Sequence, residues 1–288
     1  MDSLTLDVLG CGLRVRFKDP RTRDLLHAAY GALRADVRAP AVTYTAGARP
    51  CSAAFFLGRE GEEPALAADD AELLFQFETD LSIQLQRLRP DLYFLHGAAL
   101  EHGGRAALLV AASGSGKSTT AWALVNHGLG YLSDELAPVD PRTTEVHPYP
   151  RALCLKARPP RPYRLPASTL VTSRTFHVPA AAMPGGVVTR PLPVAAVFFV
   201  EYRPGGGPDA AGVSRAEATA RLLANALNPL AHPGSGLDTA MAIAAAVPAF
   251  RLWTGDLART AELVTATLRH LDRASRTPAS APVAAATR

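Results

Sequence analysis

Lysine is nearly missing from this chain: of thirty basic residues only Lys18, Lys117 and Lys156 are lysines, and arginine supplies the rest. A guanidinium is planar and permanently charged and serves as a generic surface cation, whereas a compact ammonium is the point donor suited to a phosphate cradle. Two of the three lysines fall in the segments that carry candidate chemistry below. Cysteine is equally sparse. Cys11, Cys51 and Cys154 are odd in number, far apart and without metal-ligand spacing, which excludes a disulfide framework or a zinc site and leaves free, mostly buried thiols as the expectation. Long apolar runs are absent: the longest, at 106–112, 194–200 and 240–247, are seven or eight residues, against the roughly 20 that span a bilayer. No membrane partner is expected. The first seven residues alternate and are acidic, unlike a signal peptide, so the expected location is cytoplasmic. Basic runs interleaved with aromatics are also lacking, so a net charge of +4 and a pI near 9.1 predict no nucleic-acid partner.

What is present is an apolar fraction of 48% over 288 residues, enough for a packed core of roughly 200 residues. Residues 1–90 read as a small α+β module, with an alternating stretch over 4–17, a helix over 22–33 and short strands at 41–46 and 54–57. Their polar residues form no recognisable constellation. A helical spacing over 80–88 leads into Arg89-Pro90, the predicted boundary of a second unit, 91–271. There 93–101 and 105–111 read as strands joined by His102-Gly103-Gly104, 118–127 as a helix closed by Gly128, and 130–133 as a strand ending at Asp134-Glu135. The Pro/Arg-rich stretch 157–193 is expected to be a long, partly mobile excursion. Residues 194–202 predict a buried strand, Ser214 to Glu217 a capping box opening a helix to about 227, 249–254 a last strand and 257–271 a last helix. The remainder, 272–288, has almost no large apolar side chain and is expected to be disordered.

Between the strand at 105–111 and the helix at 118 lies Ser113-Gly114-Ser115-Gly116-Lys117-Ser118-Thr119. A glycine-rich loop at a helix N-terminus aims backbone N–H groups at one point, where the helix dipole adds about half a positive charge. Polyphosphate fits that point, with Lys117 bridging the β and γ phosphates and the Ser118 hydroxyl ligating Mg²⁺. The pattern G-x-x-x-x-G-K-S departs only at its first glycine, here Ala111, which opens the turn and leaves the phosphate contacts to Gly114 and Gly116. Sixteen residues after Ser118 comes Asp134-Glu135 at a strand end. One carboxylate of such a pair can hold the metal and another can accept a proton from an attacking hydroxyl.

These residues resemble a known family. Leu95-His96-Gly97-Ala98-Ala99, the glycine loop, 128–132 and Ser133-Asp134-Glu135 follow the order and spacing of the C-terminal domain of HPr kinase/phosphorylase, and more closely of the HPr-kinase-related kinases. Pro150-Arg151 through Leu155-Lys156 resembles the related kinases' Pro-Arg-x-x-x-Leu-Lys segment, and 199–205, 214–217 and Asn225 resemble their later strand and helix. The likeness covers about 92–230. It implies an α/β fold, a P-loop kinase domain of HPr-kinase type carrying a small N-terminal α+β module. It also implies transfer of the γ-phosphoryl group of ATP, with Mg²⁺, to a serine-type hydroxyl. In that reading Asp134 is the base, His96 stands near that carboxylate, and Ser118, Glu135 and Asp134 serve the metal. Arg151 and Lys156 are candidate cations for the γ-phosphate or the acceptor, and Glu201 is a further metal candidate. The family's Glu-Ile/Leu-Arg-Gly-Leu-Gly signature is not found after Lys156, so neither HPr nor phosphorolysis is expected. The expected acceptor is a peptide or protein, narrowed to a ribosomally made precursor of lasso type, with 158–164 as its docking loop. Because HPr kinases are hexameric, homo-oligomerisation is also expected. Two readings remain beside this one, a regulatory P-loop ATPase and a small-molecule hydroxyl kinase. In a third, residues 1–90 are a partner-binding module attached to a vestigial domain, against which the intact Lys117, Ser118 and Asp134 argue.

Overall fold

The computed structural model describes residues 2–50, 52 and 54–276, with backbone only for 275 and 276. Cys51 and residues 277–288 of the expected tail lie outside the described residues.

The alternating stretch 4–17 is two strands, β1 (Ser3–Val8) and β2 (Cys11–Phe17), because Leu9 and Gly10 both take positive φ and reverse the chain. Its period of two buries Leu4, Leu6, Val8, Leu13, Val15 and Phe17 on one face. Helix α1 (Pro20–Tyr30) starts where the Asp19 carboxylate accepts the Thr22 N–H at 2.9 Å. Strands β3 (Val42–Ala48), β4 (Phe55–Arg59) and β5 (Ala65–Ala67) complete a five-stranded sheet in chain order. Helix α2 (Asp70–Leu88), capped by Asp69, starts ten residues before its expected position. Leu74, Phe77, Leu81 and Leu85 are its buried stripe.

The second sheet has eight strands. β6 (Tyr93–His102) and β7 (Arg105–Val110) form a hairpin, and β7 runs parallel to β14 (Leu192–Tyr202), itself parallel to β16 (Ala249–Thr254). β15 (Asp209–Gly212) borders β16. On the other side β6 pairs with β8 (Gly130–Ser133) and β9 (Leu136–Asp140), and β10 (Glu145–Val146) borders β9. Alternation along β7 sends Ala107 and Leu109 to one face and Leu108 and Val110 to the other. On the first face lie α3 (Lys117–Asn126) and α6 (Leu257–Arg276); on the second lie α4 (Arg215–Ala224) and α5 (Leu237–Ala246). Each fully buried leucine or valine of these layers contributes roughly 1.5–3 kcal/mol.

Several expectations are corrected here. The stretch 157–193 is anchored rather than loose: Tyr163, Val178, Ala180 and Met183 pack into the core under Trp122. Within it β12 (Leu170–Val171) and β13 (Phe176–Val178) join β11 (Leu153–Leu155) in a small third sheet. Helix α6 continues past 271 to Arg276, so the first five residues of the expected tail are helical. Helix α5 was not expected at all, because its small apolar run carries no clear period. Ser214 caps α4, accepting the Glu217 N–H at 3.2 Å, while the Glu217 carboxylate pairs with Arg221 and Arg251. The packing also crosses residue 90, since Leu92, Phe94, Leu136 and Tyr149 belong to the same cluster as β1 to β4 and α2. Among the described residues no helix is long and apolar enough to cross a membrane.

Candidate active site

Residues 111–116 connect β7 to α3. Gly114 and Gly116 have φ of +87° and +88°, a conformation that a side chain strains and glycine adopts freely. Nothing lies within 4 Å of where a Gly114 Cβ would stand, so the loop is open on that side. Ala111 is buried at the loop's start, and the Ser115 hydroxyl donates to Ala112 O at 2.6 Å. The first-turn N–H groups of α3 have no intrahelical acceptors by helix geometry and face this mouth. At the other end Gly128 has φ +93° and the Leu129 N–H reaches back to Leu124 O at 3.2 Å, closing the helix in the left-handed manner glycine permits.

Strands β8 and β9 both run beside β6, interrupted by Asp134-Glu135. Ala99 pairs with Ser133 and His96 with Leu136, so Asp134-Glu135 stands opposite Gly97-Ala98 with the register unchanged, and the bulge lies one step earlier, between Ser133 and Tyr131. Glu135 takes φ +73°, rare for a residue with a side chain, and its carbonyl accepts the Gly97 N–H at 3.3 Å. Gly97 is required there, since a Cβ would stand 2.9 Å from Leu109 O. The kink separates the two carboxylates. Asp134 is fully buried, its Oδ1 accepting the Ser118 hydroxyl at 3.1 Å and its Oδ2 the Cys154 N–H at 3.3 Å. Glu135 is directed to a cavity and meets His96 Nε2 at 2.8 Å. The sequence expectation placed His96 beside Asp134; the left-handed turn at Glu135 brings the other carboxylate to the histidine.

Lys117 stands between them, 5% exposed, with Nζ 3.4 Å from Glu135 Oε2 and 3.7 Å from Asp134 Oδ1. Burial by itself would push the Glu135 carboxyl up. The His96 hydrogen bond and the charges of Lys117 and Arg151 overcome it and hold Glu135 well below the usual carboxylate range. Lys156, past the end of β11, donates to Ser113 Oγ at 2.8 Å and so lies over the glycine loop. Thr119 is half-buried in the first turn of α3.

Arg151 is placed differently from expectation. Its guanidinium is buried, with Nε 3.0 Å from Glu78 Oε1 but out of line for a hydrogen bond. Tyr149 donates to the same carboxylate at 3.3 Å, and Tyr30 donates to it as well. Glu78 and Tyr30 come from α2 and α1, so residues 1–90, read above as having no polar constellation, contribute two members of one. Glu78 was legible in part: it is a carboxylate on the apolar stripe of α2, four residues after Leu74 and three before Leu81. Glu201 pairs elsewhere, its half-exposed carboxylate 3.5 Å from Arg203. The Asn225 carbonyl accepts the His96 N–H at 2.8 Å and fixes the strand beneath the histidine. The free thiol of Cys154 lines the cavity, and burial pushes it up to about 11, so it is no thiolate at neutral pH.

For a metal, the oxygen donors are Ser118 Oγ and Asp134, hard ligands suited to Mg²⁺. Among the described residues no group of three or more His, Cys, Asp or Glu side chains could hold an ion by itself. Two protein oxygens at the head of α3 suit a cation that brings further oxygens with its ligand. The left-handed glycines of the loop, the buried ammonium and the hydroxyl–carboxylate pair fit a Mg-nucleotide.

No protein-family model matches the chain, and no curated protein matches it. Among solved structures, the HPr(Ser) kinase/phosphatase from Coxiella burnetii is similar over 64% of this chain and 95% of that one, with 10% identity and a TM-score of 0.31. A likeness that distant decides nothing about the chemistry here.

Proposed function

We propose that the chain is an ATP-dependent kinase that transfers the γ-phosphoryl group to a serine-type hydroxyl of a peptide or protein. The observation that carries this reading is the convergence of Lys117, Ser118, Asp134, Glu135 and His96 at the head of α3. The loop 111–116 and the α3 N–H groups would hold the phosphates, and Lys117 would stabilise charge developing on the β and γ oxygens. Ser118 and Asp134 would hold Mg²⁺, which would neutralise phosphate charge when bound. Glu135, kept ionised and paired with His96, accepts the proton of the attacking hydroxyl as its oxygen bonds to phosphorus and ADP departs. Asp134, buried and engaged at both oxygens, suits the metal better than the proton, which exchanges the roles expected from sequence. Arg151 orients the Glu78 network instead of meeting phosphate.

The narrower acceptor in this proposal is a ribosomally made precursor peptide of lasso type. The test is transfer from γ-labelled ATP with Mg²⁺ to the small peptides encoded beside the gene, with Glu135→Gln in parallel. Label on a peptide serine that disappears in the variant supports the reading. Label released only as free phosphate, whatever hydroxyl is offered, replaces it with an ATPase.

A further inference from the structure

A cavity of about 520 Å³ begins at Ser113, Lys156, His96 and Glu135 and runs away from the glycine loop toward α2. Its size is that of an ordinary ligand site. Among the described residues its lining includes Ser113 but none of 114–118, so it is the space next to the phosphate site rather than that site itself. A group attacking the γ-phosphate would approach through it.

The far wall comes from the N-terminal half. Phe75, Thr79, Ser82, Ile83 and Gln86 line the cavity from one face of α2 at helical spacing. Phe75 is 71% exposed and Ile83 42%, with Leu227 opposite at 41%. Large apolar side chains left open beside a candidate site mark a surface to be covered. A small hydroxyl compound seated at Glu135 would not extend to them; an extended chain would. A second observation points to a ligand with hydrogen-bonding groups. His177, 6% exposed, also lines the cavity, and its Nε2 is engaged by Thr175 Oγ1 at 2.8 Å while its Nδ1 has no partner. That nitrogen is itself enclosed by protein, so the groups offered to a peptide backbone are the Ser82, Gln86 and Thr175 side chains of the same lining.

Resting on the kinase reading above, we infer that the acceptor is a peptide segment whose hydroxyl-bearing residue is flanked by large apolar side chains, and that α2 reads those side chains through Phe75 and Ile83. Residues 1–90 are then a specificity element of the enzyme. The acceptor hydroxyl reaches Glu135 and His96, while the flanking side chains cover the face of α2.

The probe is a set of fluorescent heptapeptides with a central serine, flanked by Leu and Phe in one group and by Asp, Lys or Gly in the others. Anisotropy measures binding to the full chain, and labelled ATP measures transfer. The apolar group is expected to bind at least roughly tenfold tighter, and F75D/I83D is expected to remove that preference by raising peptide Kd or KM roughly tenfold with the Kd for ATP unchanged. Thr79→Arg, an exposed substitution on the same face, is expected to act likewise and guards against a folding defect. Apolar-selective binding lost in the variants but without transfer would keep α2 as a reader of apolar peptide side chains and overturn the kinase reading. Equal affinity across the groups, unchanged KM in the variants, or transfer only to small hydroxyl compounds would overturn the inference even where the kinase reading stands.

Discussion

Lys156 Nζ donates to Ser113 Oγ at 2.8 Å, across a separation of 43 residues, so one of only three lysines lies over the mouth of the glycine loop. Exchanging a serine hydroxyl for a phosphate oxygen would make that bond charge-assisted at both ends. Lys156→Met is therefore expected to weaken ATP binding by roughly tenfold to a hundredfold, the worth of a hydrogen bond to a charged group. Titration calorimetry against Mg-ATP measures it. An unchanged Kd would remove Lys156 from the phosphate site.

The two carboxylates should separate by experiment. Glu135→Gln is expected to lower kcat by roughly a hundredfold to ten-thousandfold with nucleotide affinity nearly intact, as for loss of a general base. Asp134→Asn is expected instead to raise the Mg²⁺ concentration at half-maximal rate, an effect shared by Ser118→Ala. If Asp134→Asn left the magnesium dependence unaltered, the metal would belong elsewhere.

Removing Glu78 leaves Arg151, 5% exposed, inside the protein without the carboxylate it touches. Breaking a buried pair from one side costs about 3–5 kcal/mol. Glu78→Ala should lower the urea midpoint accordingly, and adding Arg151→Met should restore part of the loss. A single variant as stable as the parent would mean that Tyr30 and Tyr149 alone accommodate the guanidinium.

Stability should fall on the acid side through two groups. Burial lowers His177 from its ordinary value to about 4, with the Arg151 charge adding to it. Between pH 6.5 and about 4 the unfolded chain therefore binds more protons, so stability declines as pH falls through that window, by roughly 3 kcal/mol in the limit of full burial. Glu135, held low in the fold, contributes stability above the ordinary carboxylate range that is lost as pH drops below it. His177→Gln is expected to flatten the decline between pH 6.5 and 4 in chemical denaturation and to leave the drop below pH 4.5 in place.

Gly97→Ala places a methyl 2.9 Å from the Leu109 carbonyl, between two paired strands that cannot part. A loss of about 1–3 kcal/mol is expected from overpacking, read as a lower thermal midpoint, and with it a displaced His96. Wild-type stability would show that β6 can shift.

The order of elements around the glycine loop was legible because its signals are local. A strand, left-handed glycines, a helix closed by Gly128 and a second strand each depend on residues within a few positions of one another. The anchoring of 157–193 is not legible because its Pro and Arg content is that of a loop, whereas Tyr163, Val178 and Met183 bury at its intervals without a regular period. Helix α5 is not legible because small apolar residues occupy nearly every side of it and leave no polar face to count.

By itself the sequence determined that Lys117, Ser118 and the Asp134-Glu135 pair would meet at the head of one helix, since chain order and spacing leave little else for them to do. Only the tertiary structure decided which carboxylate faces which partner. A single positive φ at Glu135 turns it to His96 and leaves Asp134 buried against Ser118, and a backbone dihedral of that kind has no signature in residue type. Tertiary structure likewise decided that Glu78 meets Arg151 and that α2 walls the cavity. Glu78 and Arg151 are 73 positions apart, and only tertiary packing brings them together.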